Sequence, residues 1–303
     1  MCIPGDCSPR PHAHASRRPR FRAAVPLVLC VLGAAVLGVP SARGDSAGPP
    51  PYLEDRGEGI PTSLFGTYVG DGEFLVYSFY EYNTNSDAEY KPSELGFTGE
   101  QDFFGKSTDH EALIFLGYGF TDRLAFEFEA ALWASAELQK APNDASGVPD
   151  RIKESGLGDV ESQLRWLWTK ETQTRPMLYS FWEVVFPLQE DDLILGTQDW
   201  ETALGFGAVR GFQWGTLNGR VSIKYDAEDG QVELGEFAFE YLNRTSPKWR
   251  WVATLEGEDD EVSLIGEAQL TISRRAVLKL NCGFGVTKKA EDFAPEVGVI
   301  FSF

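Results

Sequence analysis

The chain has 303 residues, with 27 Lys and Arg against 46 Asp and Glu, and its formal net charge at pH 7 is −19. A hydrophobic fraction of 43% is too high for a disordered chain, and the acidity argues against binding to nucleic-acid phosphates. Outside residues 1–44 the sequence holds one cysteine, Cys282, and one histidine, His110, which excludes a structural zinc site, an intramolecular disulfide and a redox dithiol there.

Residues 1–44 have the three-part layout of a secretory signal peptide. A basic stretch at 17–22 precedes an apolar run at 23–39, and small residues follow it. The alternative is an N-terminal membrane anchor, because the apolar run is long for a signal peptide. We favour a cleaved signal peptide, after which 21 basic and 45 acidic residues remain, a net charge of −24. Residues 45–72, rich in Pro and Gly at the start, are expected to form a periplasmic arm or a partial plug.

From about residue 73 the sequence repeats stretches of about ten residues that are apolar at every second position. In 276–286, for example, Leu278 and Leu280 fall on one face and Lys279 on the other. This alternation is typical of β-strands, and about ten residues suit a tilted membrane-crossing strand. We predict twelve strands, near 73–82, 109–118, 123–134, 157–168, 176–187, 200–211, 216–225, 231–242, 249–257, 261–272, 276–286 and 292–303.

The connections between these strands alternate in length. Every second connection is short, and the others include the long gaps 83–108 and 135–156. Outer-membrane barrels show this asymmetry, with short turns on the periplasmic side. A soluble β-sandwich or a soluble closed barrel would also alternate. However, twelve strands around an apolar interior would leave much more space to fill than a small eight-stranded barrel. The sequence therefore predicts an all-β fold, an antiparallel transmembrane β-barrel of outer-membrane type, over 73–303.

The charged face of the alternating strands is expected to line the barrel lumen. Opposite charges stand on neighbouring strands, and each such pair stabilises a sheet by roughly 0.2–1 kcal/mol. The expected partners are Glu127 and Glu129 for Arg165, Glu236 and Glu240 for Arg220 and Lys224, and Glu267 and Glu296 for Lys279. The candidate lumen-lining residues, which would set the ion preference of the lumen, are Glu127, Glu129, Arg165, Arg220, Lys224, Glu236, Glu240, Lys279 and Glu296.

The last segment, 293–303, places Val297, Val299, Phe301 and Phe303 on one face. A terminal aromatic residue on an alternating final strand resembles the signal that the barrel-assembly machinery of the outer membrane reads. The alternative is a soluble edge strand that ends in Phe. We favour an assembly signal at Phe301 and Phe303, and we expect outer-membrane lipid and lipopolysaccharide as further partners.

Two motifs narrow the interpretation. The sequence GYGFTDRL at 117–124 has the form of a strand, a tight turn and a new strand, and GLGDV at 156–160 leads into QLRW at 163–166. Both resemble the hairpins of a family of outer-membrane β-barrel transporters, some of which are named for a phenol-degradation (meta-cleavage) pathway. The resemblance covers about 73–303 and implies uptake of small, aromatic solutes.

Two other motifs would indicate different functions, and both are weak. The glycines of 205–211 resemble a dinucleotide-binding loop but lie within an alternating strand. The best catalytic pair is Ser107 with His110, which lacks a glycine-flanked nucleophile. We therefore expect no enzymatic activity, no cofactor and no metal site.

The sequence thus predicts an outer-membrane channel that passes small solutes through a polar, net-acidic lumen. The alternative is a closed, non-conducting outer-membrane barrel with a structural, adhesive or lipid-binding role, because charge pairs fill a narrow lumen as easily as they line a wide one.

Overall fold

A computed structural model describes residues 58–189, 192–227 and 230–303. The predicted signal peptide, 1–44, and the first part of the predicted arm, 45–57, lie outside the described residues. No helix long and apolar enough to cross a membrane is present in these ranges.

The described residues form fifteen β-strands in two sheets. The strands are β1 (Ile60–Pro61), β2 (Tyr68–Val69), β3 (Phe74–Tyr90), β4 (Phe103–Gly119), β5 (Leu124–Gln139), β6 (Arg151–Gly156), β7 (Val160–Thr169), β8 (Met177–Phe186), β9 (Glu201–Phe212), β10 (Gly215–Asp226), β11 (Gln231–Arg244), β12 (Trp249–Glu258), β13 (Glu261–Ser273), β14 (Ala276–Gly285) and β15 (Ala294–Ser302). β1 pairs with β2 alone, and the other strands form one large sheet.

That large sheet is a closed antiparallel barrel. β6 and β7 both pair with β5 and together act as one interrupted strand, so the part of the wall that the structure describes has twelve strands. The ring closes because β15 pairs with β3, which places Val297 opposite Tyr80. The prediction of an all-β, twelve-stranded antiparallel barrel is therefore confirmed.

The strand bounds differ from the prediction at one side of the barrel. Most of the predicted gap 83–108 is strand, because β3 continues to Tyr90 and β4 begins at Phe103. Likewise β5 continues to Gln139. The alternation does not reveal these extensions because most of their residues are polar. A second hydrophobic cluster packs on this projecting sheet, and its buried members are Tyr90, Leu95, Phe103, Leu138, Ala141, Val148 and Ile152.

The two ends of the barrel carry different connections. One end, here called the turn end, holds the C-terminal Phe303 and the turns 120–123, 170–176, 213–214, 245–248 and 274–275. The opposite end, here called the loop end, holds 91–102, 140–150, 187–189 with 192–200, 227 with 230, 259–260 and 286–293.

The outer face of the barrel is apolar. On β9, Leu204 and Phe206 are 45% and 55% exposed, whereas Gly205 and Gly207 are buried. Large exposed aromatic side chains lie towards both ends: Tyr118, Phe120, Trp168, Trp214, Trp249, Trp251 and Phe303 at the turn end, and Trp133, Trp182, Trp200, Tyr225, Phe284 and Phe293 towards the loop end. This distribution is that of a lipid-facing band between two aromatic girdles.

The inner faces of β8 and β9 combine aromatic rings with glycines. A Cβ atom on Gly207 would lie 2.2 Å from the ring of Tyr179, and one on Gly205 would lie 2.1 Å from the ring of Phe181. The buried Tyr179 hydroxyl donates to Asn218 at 3.1 Å, which holds its ring in place. The glycines therefore make room for rings that lie flat against the neighbouring strand.

We expect Gly207→Val to destabilise the barrel by about 1–3 kcal/mol, because the added side chain would overlap the fixed Tyr179 ring. Urea unfolding in liposomes measures the difference. The matched control is Ala208→Val, on the outer face of the same strand, with an expected change near zero. Equal effects of the two substitutions would contradict this packing.

Candidate functional site

Residues Ile60–Val69, here called the inner segment, lie inside the barrel. The segment is a small hairpin in which Ile60 pairs with Val69. Both side chains are buried, with 1% and 0% exposure. They belong to the same hydrophobic cluster as Tyr77 of β3 and Phe115 of β4. The inner face of the barrel wall and the inner segment therefore share one apolar core.

An ion pair on β5 and β7 holds one side of the inner segment. Arg165 Nε lies 2.9 Å from Glu127 Oε1, and the two side chains are 1% and 2% exposed. Arg165 Nη1 donates to the Pro61 carbonyl at 3.1 Å. Glu127 Oε2 accepts hydrogen bonds from the Ser63 amide at 3.0 Å and the Ser63 hydroxyl at 2.8 Å. Each partner of this ion pair thus also binds the inner segment.

A second group of charges lies on β10 and β11. Arg220 Nη2 is 2.6 Å from Glu236 Oε1, and its Nη1 is 4.0 Å from Glu240 Oε1. Arg220 Nη1 also donates to the Ser63 carbonyl at 3.0 Å. Glu240 Oε2 accepts from the Gly66 amide at 3.2 Å. As in the first ion pair, the cationic side chain donates to a backbone carbonyl of the inner segment, and a carboxylate accepts from a backbone amide of the segment.

The third group lies on β13 and β14. Lys279 Nζ is 3.2 Å from Glu267 Oε2, and both side chains are nearly fully buried. Lys279 Nζ and Gln269 Nε2 donate to the Phe65 carbonyl at 3.3 Å and 3.1 Å. The inner segment is therefore bound from three sides of the wall. We call the wall groups that bind it the anchor residues: Glu127, Arg165, Arg220, Glu240, Gln269 and Lys279.

Next to the anchor residues, towards the loop end, the wall carries carboxylates. Glu81 stands opposite Glu296 across β3 and β15, and Glu129 stands opposite Glu161 across β5 and β7. The set that we call the acidic ring, each member within electrostatic range of the next, is Glu81, Glu129, Glu161, Glu183, Glu236, Glu256 and Glu296. Among the described residues, only Glu236 of this ring forms an ion pair with a Lys or Arg side chain.

Two cavities lie on either side of the anchor residues. The cavity towards the loop end has a volume of about 270 Å³, and Glu183, Glu236 and Lys224 line it. The cavity at the turn end has a volume of about 230 Å³, and Gly66 and Arg275 are among its lining residues. Within the described ranges the two cavities share no lining residue. Of the two, the inner segment lines the turn-end cavity, through Gly66, Thr67 and Tyr68.

In the structure, the predicted lumen-lining residues fall into three groups: anchor residues, members of the acidic ring, and Lys224. Glu127, Arg165, Arg220, Glu240 and Lys279 are anchor residues, and Glu129, Glu236 and Glu296 belong to the acidic ring. Lys224 lies nearer the loop end and pairs with Glu201 at 2.7 Å and Glu258 at 3.4 Å, in place of its expected partners. Glu296 accepts hydrogen bonds from Tyr77 and Asn281, whereas Lys279 pairs with Glu267. That these side chains line a conduction path stays a prediction.

Sequence reasoning missed several groups of this site. Glu161 falls on the same face of β7 as Arg165, four positions apart, so strand alternation could have found it. Strand alternation could also have found Glu81, which lies on the same face of β3 as Tyr77. The role of Ser63 had no such signal, because its contacts with Glu127 join residues 64 positions apart through their side chains and backbone.

Charged groups also meet at the loop end. Lys289 Nζ lies 2.6 Å from Glu89 and 2.8 Å from Asp260, and its hydrogen bonds to Asp260 and Glu89 raise the pKa of Lys289. Burial, together with the negative charge of Asp109, raises the pKa of Glu291 to about 7. The loop end therefore carries a carboxyl group that titrates near neutral pH.

The predicted assembly residues lie on the outer face of β15 and just beyond it. Phe301 and Phe303 are 42% and 65% exposed. The Phe303 amide donates to the Phe74 carbonyl at 2.9 Å, so the last residue still pairs with the first barrel strand. The position suits lipid contact, and the assembly role stays a prediction.

The candidate catalytic pair is not assembled. Ser107 and His110 lie three positions apart on the regular part of β4, which puts their side chains on opposite faces. His110 Nδ1 instead lies 2.7 Å from the Tyr80 hydroxyl on the neighbouring strand.

No family model and no curated protein matches the chain. Among solved structures, the chain is similar to the COG4313 outer membrane channel from Pseudomonas putida F1, with a TM-score of 0.55 and 14% identity over 78% of this chain and 97% of that chain. It is also similar to the translocator domain of the autotransporter NalP from Neisseria meningitidis, with a TM-score of 0.50 and 11% identity over 77% of this chain and 89% of that chain. At such identities the likeness is one of fold: the chain has the fold of outer-membrane β-barrels.

We expect Lys279→Met to destabilise the protein by about 3 kcal/mol, because it leaves the buried Glu267 carboxylate without its partner. The matched control is Lys170→Met, which removes the exposed ion pair with Asp122, with an expected loss below about 1 kcal/mol. Urea unfolding in liposomes compares the two variants. Similar losses would contradict the burial of the Lys279 pair.

Proposed function

We propose that the protein is an outer-membrane channel for small solutes. The observation that carries the proposal is the inverted polarity of the barrel. Arg165, Lys279 and Glu267 are almost fully buried in the interior, whereas Trp182 and Phe206 are more than half exposed on the outside. In water such an exterior would be an extensive apolar surface, and in lipid it is the expected one. A closed barrel is also the β-structure that satisfies all its backbone hydrogen bonds in a bilayer.

We further propose that the channel prefers cations. The acidic ring places seven carboxylates on seven strands of the wall, and Glu81 and Glu296 stand directly opposite each other. Rings of Asp and Glu side chains favour cations in other channels. Lys224, close to the ring, is balanced by Glu201 and Glu258, so the inner surface towards the loop end remains negative.

The resemblance to transporters named for phenol degradation extends the proposal to small aromatic solutes. The fold similarity to an outer membrane channel from Pseudomonas putida F1 supports the channel class. The inward-facing ring of Phe181 is among the residues that line the cavity towards the loop end. Liposome swelling with small aromatic solutes and with sugars of similar size tests this part, and faster swelling with the sugars would contradict it.

A second candidate is the closed, non-conducting barrel. The specific observation that favours it is the inner segment, whose Ile60 and Val69 are buried in the apolar core inside the barrel. In that case the anchor residues would serve stability alone. Purified protein that folds in planar bilayers and never opens, over the full voltage range, would support this candidate and contradict the channel.

We expect single-channel openings in planar bilayers, with a reversal potential in a KCl gradient displaced towards that of K⁺. Glu129→Gln combined with Glu161→Gln is expected to move the reversal potential towards zero, because it removes two adjacent charges of the acidic ring. The matched control is Glu137→Gln, which removes a carboxylate of the projecting sheet that pairs with Arg151. An unchanged reversal potential in the double variant would contradict the role of the ring.

A further inference from the structure

We propose that the inner segment is a displaceable gate, and this inference rests on the proposed channel function. The segment crosses the barrel interior, since it is hydrogen-bonded to Arg165 of β7, to Arg220 and Glu240 of β10 and β11, and to Lys279 of β14. Ile60 and Val69 are almost fully buried, so the segment leaves little open space beside itself. A continuous path through the barrel therefore requires the segment to move.

The anchor residues bind the segment through hydrogen bonds. They contact its backbone: the carbonyls of Pro61, Ser63 and Phe65 accept hydrogen bonds from the wall, and the amides of Ser63 and Gly66 donate to it. At these contacts the segment is neither covalently linked to a barrel strand nor paired with one as a further strand. Each contact is therefore of a kind that water can replace.

The charges of the wall remain paired when the segment leaves. Arg165 keeps Glu127, Arg220 keeps Glu236, and Lys279 keeps Glu267, since both partners of each pair belong to barrel strands. Displacement thus exposes hydrogen-bonding groups to water without separating an ion pair. If the segment itself carried one partner of a buried ion pair, its release would leave a buried charge without its partner. The segment carries no such partner, so it can be released.

The connection of the segment to the barrel provides a hinge. Gly70 and Gly72 flank Asp71 between the segment and β3. Gly72 has a φ of 70°, and a Cβ atom there would meet no atom within 4 Å. Glycine-rich connections of this kind absorb the backbone rotations of hinge motion. The turn-end cavity, which Gly66, Thr67 and Tyr68 already line, gives the segment an exit towards that end.

A disulfide between the segment and the wall tests the gate. A Cβ atom on Gly66 would lie 2.9 Å from Val252 Cγ2, so the two Cβ atoms stand within reach of the ~3.5–4.5 Å that disulfides need. Because Gly66 has a φ of 59° and its Cβ would lie 2.6 Å from Leu242 Cδ1, Gly66→Cys also strains the segment, and the effect of the bond is read only by comparing the oxidised and reduced states of the same variant. We would introduce Gly66→Cys and Val252→Cys in a Cys282→Ser background, and confirm the bond by mass spectrometry. Conductance in planar bilayers is then measured before and after reduction with dithiothreitol, with the two single-cysteine variants as controls.

We expect oxidation to lower the open probability of the double variant by about tenfold or more, since it ties the segment to β12, and reduction to restore it. The single variants are expected to be insensitive to oxidation. Equal open probabilities in the oxidised and reduced states would overturn the gate and leave the channel intact. Silence of the native chain and of the reduced variant alike would overturn the channel, and the gate with it.

A second variant does not depend on cysteine chemistry. Glu240→Gln weakens the hydrogen bond from the Gly66 amide, while Arg220 keeps its closer partner Glu236. We expect a higher open probability, because the wall then holds the segment less tightly. A lower or unchanged open probability would contradict the gate.

Discussion

The pairing of β15 with β3 is the contact on which the rest of the architecture depends. Without it, each of the two strands would present unpaired backbone groups to lipid, which a bilayer does not tolerate. Closure over twelve strands also fixes the width of the interior. Eight strands leave a space that side chains just fill, so a barrel of this size has room for a further piece of chain. The inner segment occupies that room.

The interior then has to accommodate charge. Moving an ion out of water costs several kcal/mol, unless a partner and further hydrogen bonds offset the loss. Around the inner segment, Arg165, Arg220 and Lys279 each have a carboxylate partner and a backbone carbonyl. Two carboxylates of the acidic ring, Glu183 and Glu236, line a cavity of about 270 Å³. The paired charges thus surround the inner segment, and most carboxylates of the ring lie closer to the loop end without a cationic partner among the described residues.

Alternation in the sequence was sufficient to predict the strands that have one face towards lipid. It failed where both faces of a strand are polar, as in the extension of β3 to Tyr90, because no hydrophobic period exists there. It also missed β6, which lies within the predicted gap 135–156, and began the next strand at 157 instead of Val160. Between β6 and β7, Gly158 passes close to Ala131 on the neighbouring strand. The position of a charged residue along its strand predicted which face of the barrel wall its side chain lies on. It did not predict which opposite charge that side chain pairs with. Lys224 reaches Glu201 and Glu258 because it lies nearer the loop end than Arg220 does.

The projecting strands give the barrel wall an uneven height. β3 and β4 have 17 residues each, whereas β12 has 10 and is joined to β13 by the two-residue connection 259–260. The rim at the loop end therefore slopes, from a high side built by β3 to β6 to a low side at β10 to β13. The cavity lined by Lys224, Glu201 and Glu258 lies towards this low side. In the proposed channel, a solute would therefore enter obliquely over the low side, facing the tall sheet and its apolar cluster on the opposite side.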